Sequence, residues 1–174
     1  MKQLFLISLL ILSIGANVFA QKMIGFGTEI NVLGLNLDSR YWTTKNDGFE
    51  VFGGIASGVE DFKMDDYVAG LKYLHTIQYR RQDRTYVGIM GKWKWIDVYD
   101  SNRTSNLPVA GVLVGKEWYT KRVHRKSYAI EFGYQYGAKE YEIFSPVNNL
   151  PIDKVRFQEF PLIINLKYSF YQLR

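Results

Sequence analysis

Apolar and polar residues alternate with a period close to two along almost the whole chain, and no stretch carries a capped helical stripe. In GIMGKWKWI, residues 88–96, two lysines alternate with two tryptophans, so one face carries charge and the other indole rings. The alternation predicts eight strands, at 22–31, 35–43, 48–57, 66–78, 84–96, 107–119, 126–136 and 162–171. The breaks hold turn formers, as in Lys45-Asn46-Asp47-Gly48, or charge clusters, as in 79–83. An even number of antiparallel strands lets a meander close with both ends on one side. The expected fold is all-β, an eight-stranded antiparallel up-and-down transmembrane β-barrel over 21–174. Connections after strands 2, 4 and 6 are short and those after 3, 5 and 7 longer, the asymmetry of a barrel whose short rim faces the periplasm. The short break near Gly34 does not follow it.

The two faces separate by chemistry. One holds large apolar groups, for example Phe26, Ile30, Phe49, Val51, Tyr67, Leu71, Trp93, Trp95, Phe132 and Phe170. The other holds glycine, small residues and ionisable groups: Glu29, Asp38, Glu50, Glu117 and Glu131 against Arg40, Lys72, Lys92, Lys94 and Lys167. An eight-stranded barrel is just wide enough inside for side chains to fill it. So many rings would crowd that axis, whereas small and charged residues fit. The reading therefore turns the rings toward lipid and the charges into the lumen, where equal numbers of acids and bases form a network that stoppers the tube. Tyr41, Trp42, Trp93, Trp95, Trp118, Tyr119, Tyr168 and Tyr171 are expected in interfacial aromatic girdles. The same apolar set would fill the interior of a soluble barrel, which is the competing arrangement.

The amino terminus supplies a compartment. Lys2 precedes an apolar run from Leu4 to Ile14, and Val18-Phe19-Ala20 ends it, so residues 1–20 read as a signal peptide removed after Ala20. The run is shorter than the roughly 20 residues a spanning helix needs. The remaining length, about 154 residues, suits one domain. The chain has no cysteine, which excludes a disulfide, a thiolate metal site and a cysteine-linked lipid anchor. Its net charge of +5 is too modest to indicate a polyanion, and the aromatic residues do not mix into a basic groove, so nucleic acid is not expected as a partner.

With this strand count, alternation and aromatic-rich last strand (LKYSFYQLR, 166–174), the chain resembles the small eight-stranded outer-membrane barrels of Gram-negative bacteria. The likeness is to the OmpA/OmpX-like architecture, especially short proteins of the Bacteroidetes type. It departs from their commonest form in that the final residue is not aromatic. The resemblance implies residence in the outer membrane, contact with its lipid, and handling by the barrel assembly machinery during biogenesis. It permits an inert anchor, an adhesion surface, an assembly accessory or a lipid-modifying enzyme.

Candidate chemistry is sparse. A hydrolytic enzyme would need a hydroxyl, an imidazole and an acid in line. Only His75 and His124 are available, and Ser39 or Ser57 could serve His75 only if the cross-strand register brought them together. No catalytic residue is assigned, and neither a metal nor a cofactor is expected: the histidines lie far apart, Asp61, Asp65 and Asp66 lack the spacing of a calcium loop, and no phosphate-binding motif occurs. The basic turns at Arg80-Arg81 and 121–126 are expected at the periplasmic rim. The most promising interaction surface is the long connection 137–161, read as structureless, where Tyr141, Phe144, Phe157 and Phe160 would meet a protein or glycolipid or fold over the mouth as a lid. The reading settles on a non-enzymatic outer-membrane barrel with a structural or surface-binding role. A soluble lipocalin-like barrel holding a hydrophobic ligand and a lipid-modifying enzyme are the alternatives.

Overall fold

A computed structural model describes residues 23–57, 66–97, 104–120, 126–144 and 151–173. Ten strands form: β1 (Met23–Asn31), β2 (Gly34–Trp42), β3 (Asp47–Ala56), β4 (Asp66–Tyr79), β5 (Asp83–Asp97), β6 (Thr104–Tyr119), β7 (Lys126–Tyr136), β8 (Ala138–Phe144), β9 (Pro151–Gln158) and β10 (Leu162–Leu173). Eight of them close an antiparallel barrel in the order β1-β10-β7-β6-β5-β4-β3-β2, each paired with its sequence neighbour except for the extra hairpin and the β1–β10 seam. This is the expected eight-stranded antiparallel barrel.

Period-two alternation decides what each face sees. One hydrogen-bonded row runs Phe170, Phe26, Ser39, Val51, Leu71, Gly91, Ala110, Tyr136 across eight strands on the outside. The adjacent row runs Tyr171, Gly25, Arg40, Glu50, Lys72, Met90, Gly111, Gln135 on the inside. Phe26, Val51, Tyr67, Ile89, Trp93, Phe132 and Phe170 are each at least half exposed, whereas Arg40, Glu50 and Lys72 are completely covered.

The connection 137–161 differs from the structureless loop expected. β8 and β9 pair as a separate antiparallel hairpin, with Tyr141 opposite Val155 and Lys139 opposite Phe157. The hairpin continues β7 and β10 beyond the rim, interrupted at Gly137 and 159–161, where Glu159 N donates to Gly137 O and Gln135 N to Pro161 O. Two short alternating runs were masked in the sequence by prolines and charges at their ends, a pattern that reads equally as loop. The Val32-Leu33 turn between β1 and β2 lies at the same rim as this hairpin, so the long-connection rim carries one tight turn.

Candidate functional site

Sequence position places the charged residues on eight different strands, and the closed register brings them to one axis. Lys72 on β4 sends its ammonium to Glu29 Oε2 (2.5 Å) on β1, Glu50 Oε1 (2.9 Å) on β3 and Glu131 Oε2 (2.8 Å) on β7. Arg40 on β2 forks between Glu50 Oε2 (2.6 Å) and Glu131 Oε1 (2.8 Å), with Glu117 at 3.6 Å. Lys167 on β10 donates to Glu50 and lies 3.1 Å from Glu29 and 3.3 Å from Asp38. Neutral donors complete the shell. Tyr86 Oη and Asn165 Nδ2 donate to Glu131, Asn36 Nδ2 to Glu29, and Ser127 Oγ, Tyr119 Oη and Tyr171 Oη to Glu117. Carboxylates of Glu29, Glu50 and Glu131 converge within 4.8 Å, a spacing that would suit a metal ion. The ammonium of Lys72 touches all three and supplies the positive charge in its place.

A second group sits at the long-connection mouth. Lys92 pairs with Glu159 at 2.8 Å, and Lys94 with Asp66 at 3.0 Å, with Glu159 3.6 Å away. Glu159 stands at the foot of the β8–β9 hairpin, so this pair ties the hairpin to the β5 wall. All ten residues expected in the lumen lie inside, but they divide between these two levels. Asp66, Arg84 and Glu159 join them, and the sequence reading missed all three. Arg84 has the inward parity of Tyr86 and Met90, which is the signal that finds it.

The girdle aromatics split. Trp93, Trp95 and Trp118 face outward with 54%, 40% and 39% of their surface exposed, and Tyr41 and Tyr168 are half-buried on the outer face. Trp42, Tyr119 and Tyr171 do not join them: they are buried within the lumen. Parity explains the correction, because Trp42 shares the face of Arg40, Tyr119 that of Glu117 and Tyr171 that of Lys167. Phe52 and Tyr86 are inside as well, so the lumen is not reserved for small and charged groups. Glycine makes this possible. Trp42 lies directly across from Gly48, Phe52 from Gly70, Tyr86 from Gly115 and Tyr171 from Gly25. A Cβ at Gly115 would come 2.5 Å from the Tyr86 ring, and one at Gly48 2.5 Å from Trp42, so each ring lies over the bare backbone opposite. Arg84 then stacks its guanidinium 3.7 Å from the centre of the Trp42 ring, closing the short-turn end.

His75 is half exposed on the outer face at the short-turn rim and pairs with Asp47 at 3.0 Å, which also accepts from Tyr73 Oη at 2.7 Å. Ser39 stands opposite Val51, and Ser57 lies at the other rim, its carbonyl accepting from Lys94. Neither serine reaches His75, so the serine–histidine arrangement weighed from the sequence does not form; the hydroxyls beside Asp47 are those of Tyr73 and Thr44, and both donate to its carboxylate. Phe160 sits half-buried at the mouth, its carbonyl accepting from Gln135 Nε2. Tyr141, Phe144 and Phe157 lie on the hairpin strands. Residues 1–20, Asp61, Asp65 and His124 lie outside the described residues.

No protein-family model matches the chain, and no curated protein sequence does. Among solved structures, the N-terminal β-barrel domain of Pseudomonas aeruginosa OprF is similar, with a TM-score of 0.55, 12% sequence identity, and coverage of 87% of this chain and 97% of that one. The likeness is one of fold, an eight-stranded antiparallel closed barrel with buried charged side chains lining its lumen in the present chain.

Proposed function

We propose that the chain is a non-enzymatic outer-membrane barrel, exported by a cleaved signal peptide over 1–20, with a structural or surface-binding role and no open diffusion pore. The observation that carries this reading is the belt of exposed rings and aliphatic groups around the barrel, Leu37, Tyr67, Ile89 and Phe26 each being 60% exposed or more. A soluble monomer rarely exposes a contiguous apolar patch beyond a few hundred Å², whereas lipid is the natural neighbour of such a belt. The likeness to the OprF barrel supports the architecture. A lumen filled by ion pairs supports the closed tube and counts against a lipocalin-like carrier, whose hydrophobic ligand needs an apolar interior. With Ser39 and Ser57 both away from His75, the serine–histidine arrangement that a lipid-modifying enzyme would use finds no support among the described residues.

Contact with outer-membrane lipid and with the assembly machinery during biogenesis follows from this reading. The 137–161 segment is the surface proposed to meet a protein or glycolipid, with Lys154, Arg156 and Gln158 exposed along one side of β9. Crosslinking from this segment in intact cells tests the binding role. The membrane reading is tested with single-tryptophan variants in bilayers of brominated lipid: Trp93 alone should be strongly quenched and Trp42 alone should not. An unquenched Trp93, or a folded protein that purifies without detergent, overturns it.

A further inference from the structure

On the outer face, β4 to β7 form an apolar trough of about 610 Å³. Val87 and Ile89 on β5 lie opposite Val114 and Val112 on β6 and make its floor. Rings make its walls, Tyr73 and His75 on β4 and Phe132 and Tyr134 on β7, each directly across from a floor residue. The β4 wall is held in place, because Asp47 accepts from Tyr73 Oη at 2.7 Å and from His75 Nδ1 at 3.0 Å. The next row toward the long-connection rim keeps the floor low, with Gly91 and Ala110 between Leu71 and Tyr136, and beyond it the exposed Trp93 closes the end. A Cβ at Gly91 would meet nothing within 4 Å, so the floor is open there.

The other end carries charge. One row toward the short turns, Lys116 stands half-buried on the outer face opposite Thr85 and Ile130, between Val114 and Trp118 along its strand. Its Nζ lies 5.6 Å from the centre of the Trp118 ring, and no carboxylate pairs with it among the described residues. In the same row Gln78 lies opposite Thr85 and, with its amide oxygen turned to Arg80, accepts from Nη2 at 2.9 Å, which brings a guanidinium to the foot of the β4 wall. The turns of this rim are basic in sequence. Segments 79–83 and 120–126 hold Arg80, Arg81, Lys121, Arg122, Arg125 and Lys126 against Asp83, whereas 57–66 beside the other rim holds Glu60, Asp61, Asp65 and Asp66 against Lys63. An ammonium on a lipid-facing wall finds its counter-charge in headgroup phosphates, toward which a long side chain reaches. From Lys116 to Ala110 the strand runs roughly 20 Å at about 3.3 Å per residue. Tilted by about 40°, that is about 15 Å of depth, half of a hydrocarbon core of roughly 30 Å and so one leaflet.

We propose that this trough holds one anionic glycerophospholipid, its acyl chains against Val87, Ile89, Val112 and Val114 and its headgroup phosphate between Lys116 and Arg80. The proposal rests on the membrane reading and adds a stoichiometric ligand to it. In the test, the refolded protein in detergent is mixed with phosphatidylglycerol and phosphatidylcholine of equal chain length, and native mass spectrometry counts the lipid retained. One phosphatidylglycerol per barrel should be kept, preferred over phosphatidylcholine by about 25-fold when each of the two cations contributes about fivefold. Lys116→Gln should lower that preference about fivefold. Val112→Phe, which fills the floor, should lower retention of both lipids. Lys139→Gln, exposed at the opposite rim, should change neither. Equal retention of the two lipids overturns the proposal, as does retention unchanged in both Lys116→Gln and Val112→Phe, or a loss in Lys139→Gln equal to that in Lys116→Gln. Quenching of the outward tryptophans in bilayers of brominated phosphatidylcholine reports the membrane reading separately: strong quenching without lipid preference removes the site alone, and no quenching removes both.

Discussion

Replacing Glu131 with alanine is the sharpest perturbation of the lumen. Its carboxylate accepts from Arg40 Nη2 (2.8 Å), Lys72 Nζ (2.8 Å), Tyr86 Oη (2.7 Å) and Asn165 Nδ2 (2.9 Å), all buried. Removing one partner of a buried ion pair costs about 3–5 kcal/mol, because the other charge stays desolvated. Two neutral donors lose their acceptor as well, at about 1–3 kcal/mol each if nothing replaces it. These terms share one site and do not add, and water entering the space recovers part of them. A net loss of about 4 kcal/mol is expected, close to a thousandfold in the folding equilibrium. The assay is urea unfolding of the refolded protein in detergent micelles, followed by mobility in unheated gels and by tryptophan fluorescence. Glu140→Ala, on the exposed hairpin, serves as the control and should shift stability by less than about 0.5 kcal/mol. Combining Arg40→Met with Glu131→Leu should recover much of the loss, since apolar groups replace both charges together. A Glu131→Ala barrel within about 1 kcal/mol of the wild type would refute the account of the lumen as a mutually dependent network.

Gly115→Ala should destabilise by about 1–3 kcal/mol, since the new Cβ meets the Tyr86 ring at 2.5 Å, while Gly91→Ala, which meets nothing within 4 Å on the outer face, should be neutral or stabilising in the same assay. Glu159→Gln weakens the link from the hairpin foot to Lys92 and Lys94, and amide exchange along β8 and β9 should quicken about ten- to a hundredfold while β4 and β5 stay protected. Asp47, at the short-turn rim, is held below its usual carboxyl range by the Tyr73 hydroxyl first and by His75 second. A depressed folded value means its contribution is present above the unfolded value of about 4 and is lost as pH falls through the folded one. Asp47→Asn should therefore flatten the acid limb of thermal stability below about pH 4, and superimposable limbs would refute this.

The strands were legible because alternation at period two survives whatever covers either face, and Phe26, Val51, Leu71 and Phe132 mark the outer one without ambiguity. Parity also carried the inward positions of Arg40, Glu50 and Lys72. It was set aside at Trp42, Tyr119 and Tyr171, where residue type was allowed to outrank position. Partners were not legible at all. That Lys72 meets Glu131, 59 residues away, depends on closure of the β1–β10 seam, and that Tyr86 lies over Gly115 depends on a register that one slipped residue would destroy. The β8–β9 hairpin was lost for a local reason, since Pro146 and Pro151 between short alternating runs read as a break.

The ion cluster specifies register more than it supplies stability. A buried ion pair gains little over apolar groups of equal size, so its retention needs another reason. Lys72 joins β4 to β1, β3 and β7, Arg40 joins β2 to β3, β6 and β7, and Lys167 joins β10 to β1, β2 and β3. Tyr86 brings in β5 through Glu131. Every barrel strand thus contributes to one network, and slipping any of them by one residue would carry its polar group to the apolar outer face. Hydrophobic contacts on that outer face discriminate weakly between registers, because one aliphatic side chain exchanges for another at small cost. In this barrel the lumen, whose charges must find each other, can reject the wrong closures that the outside would tolerate.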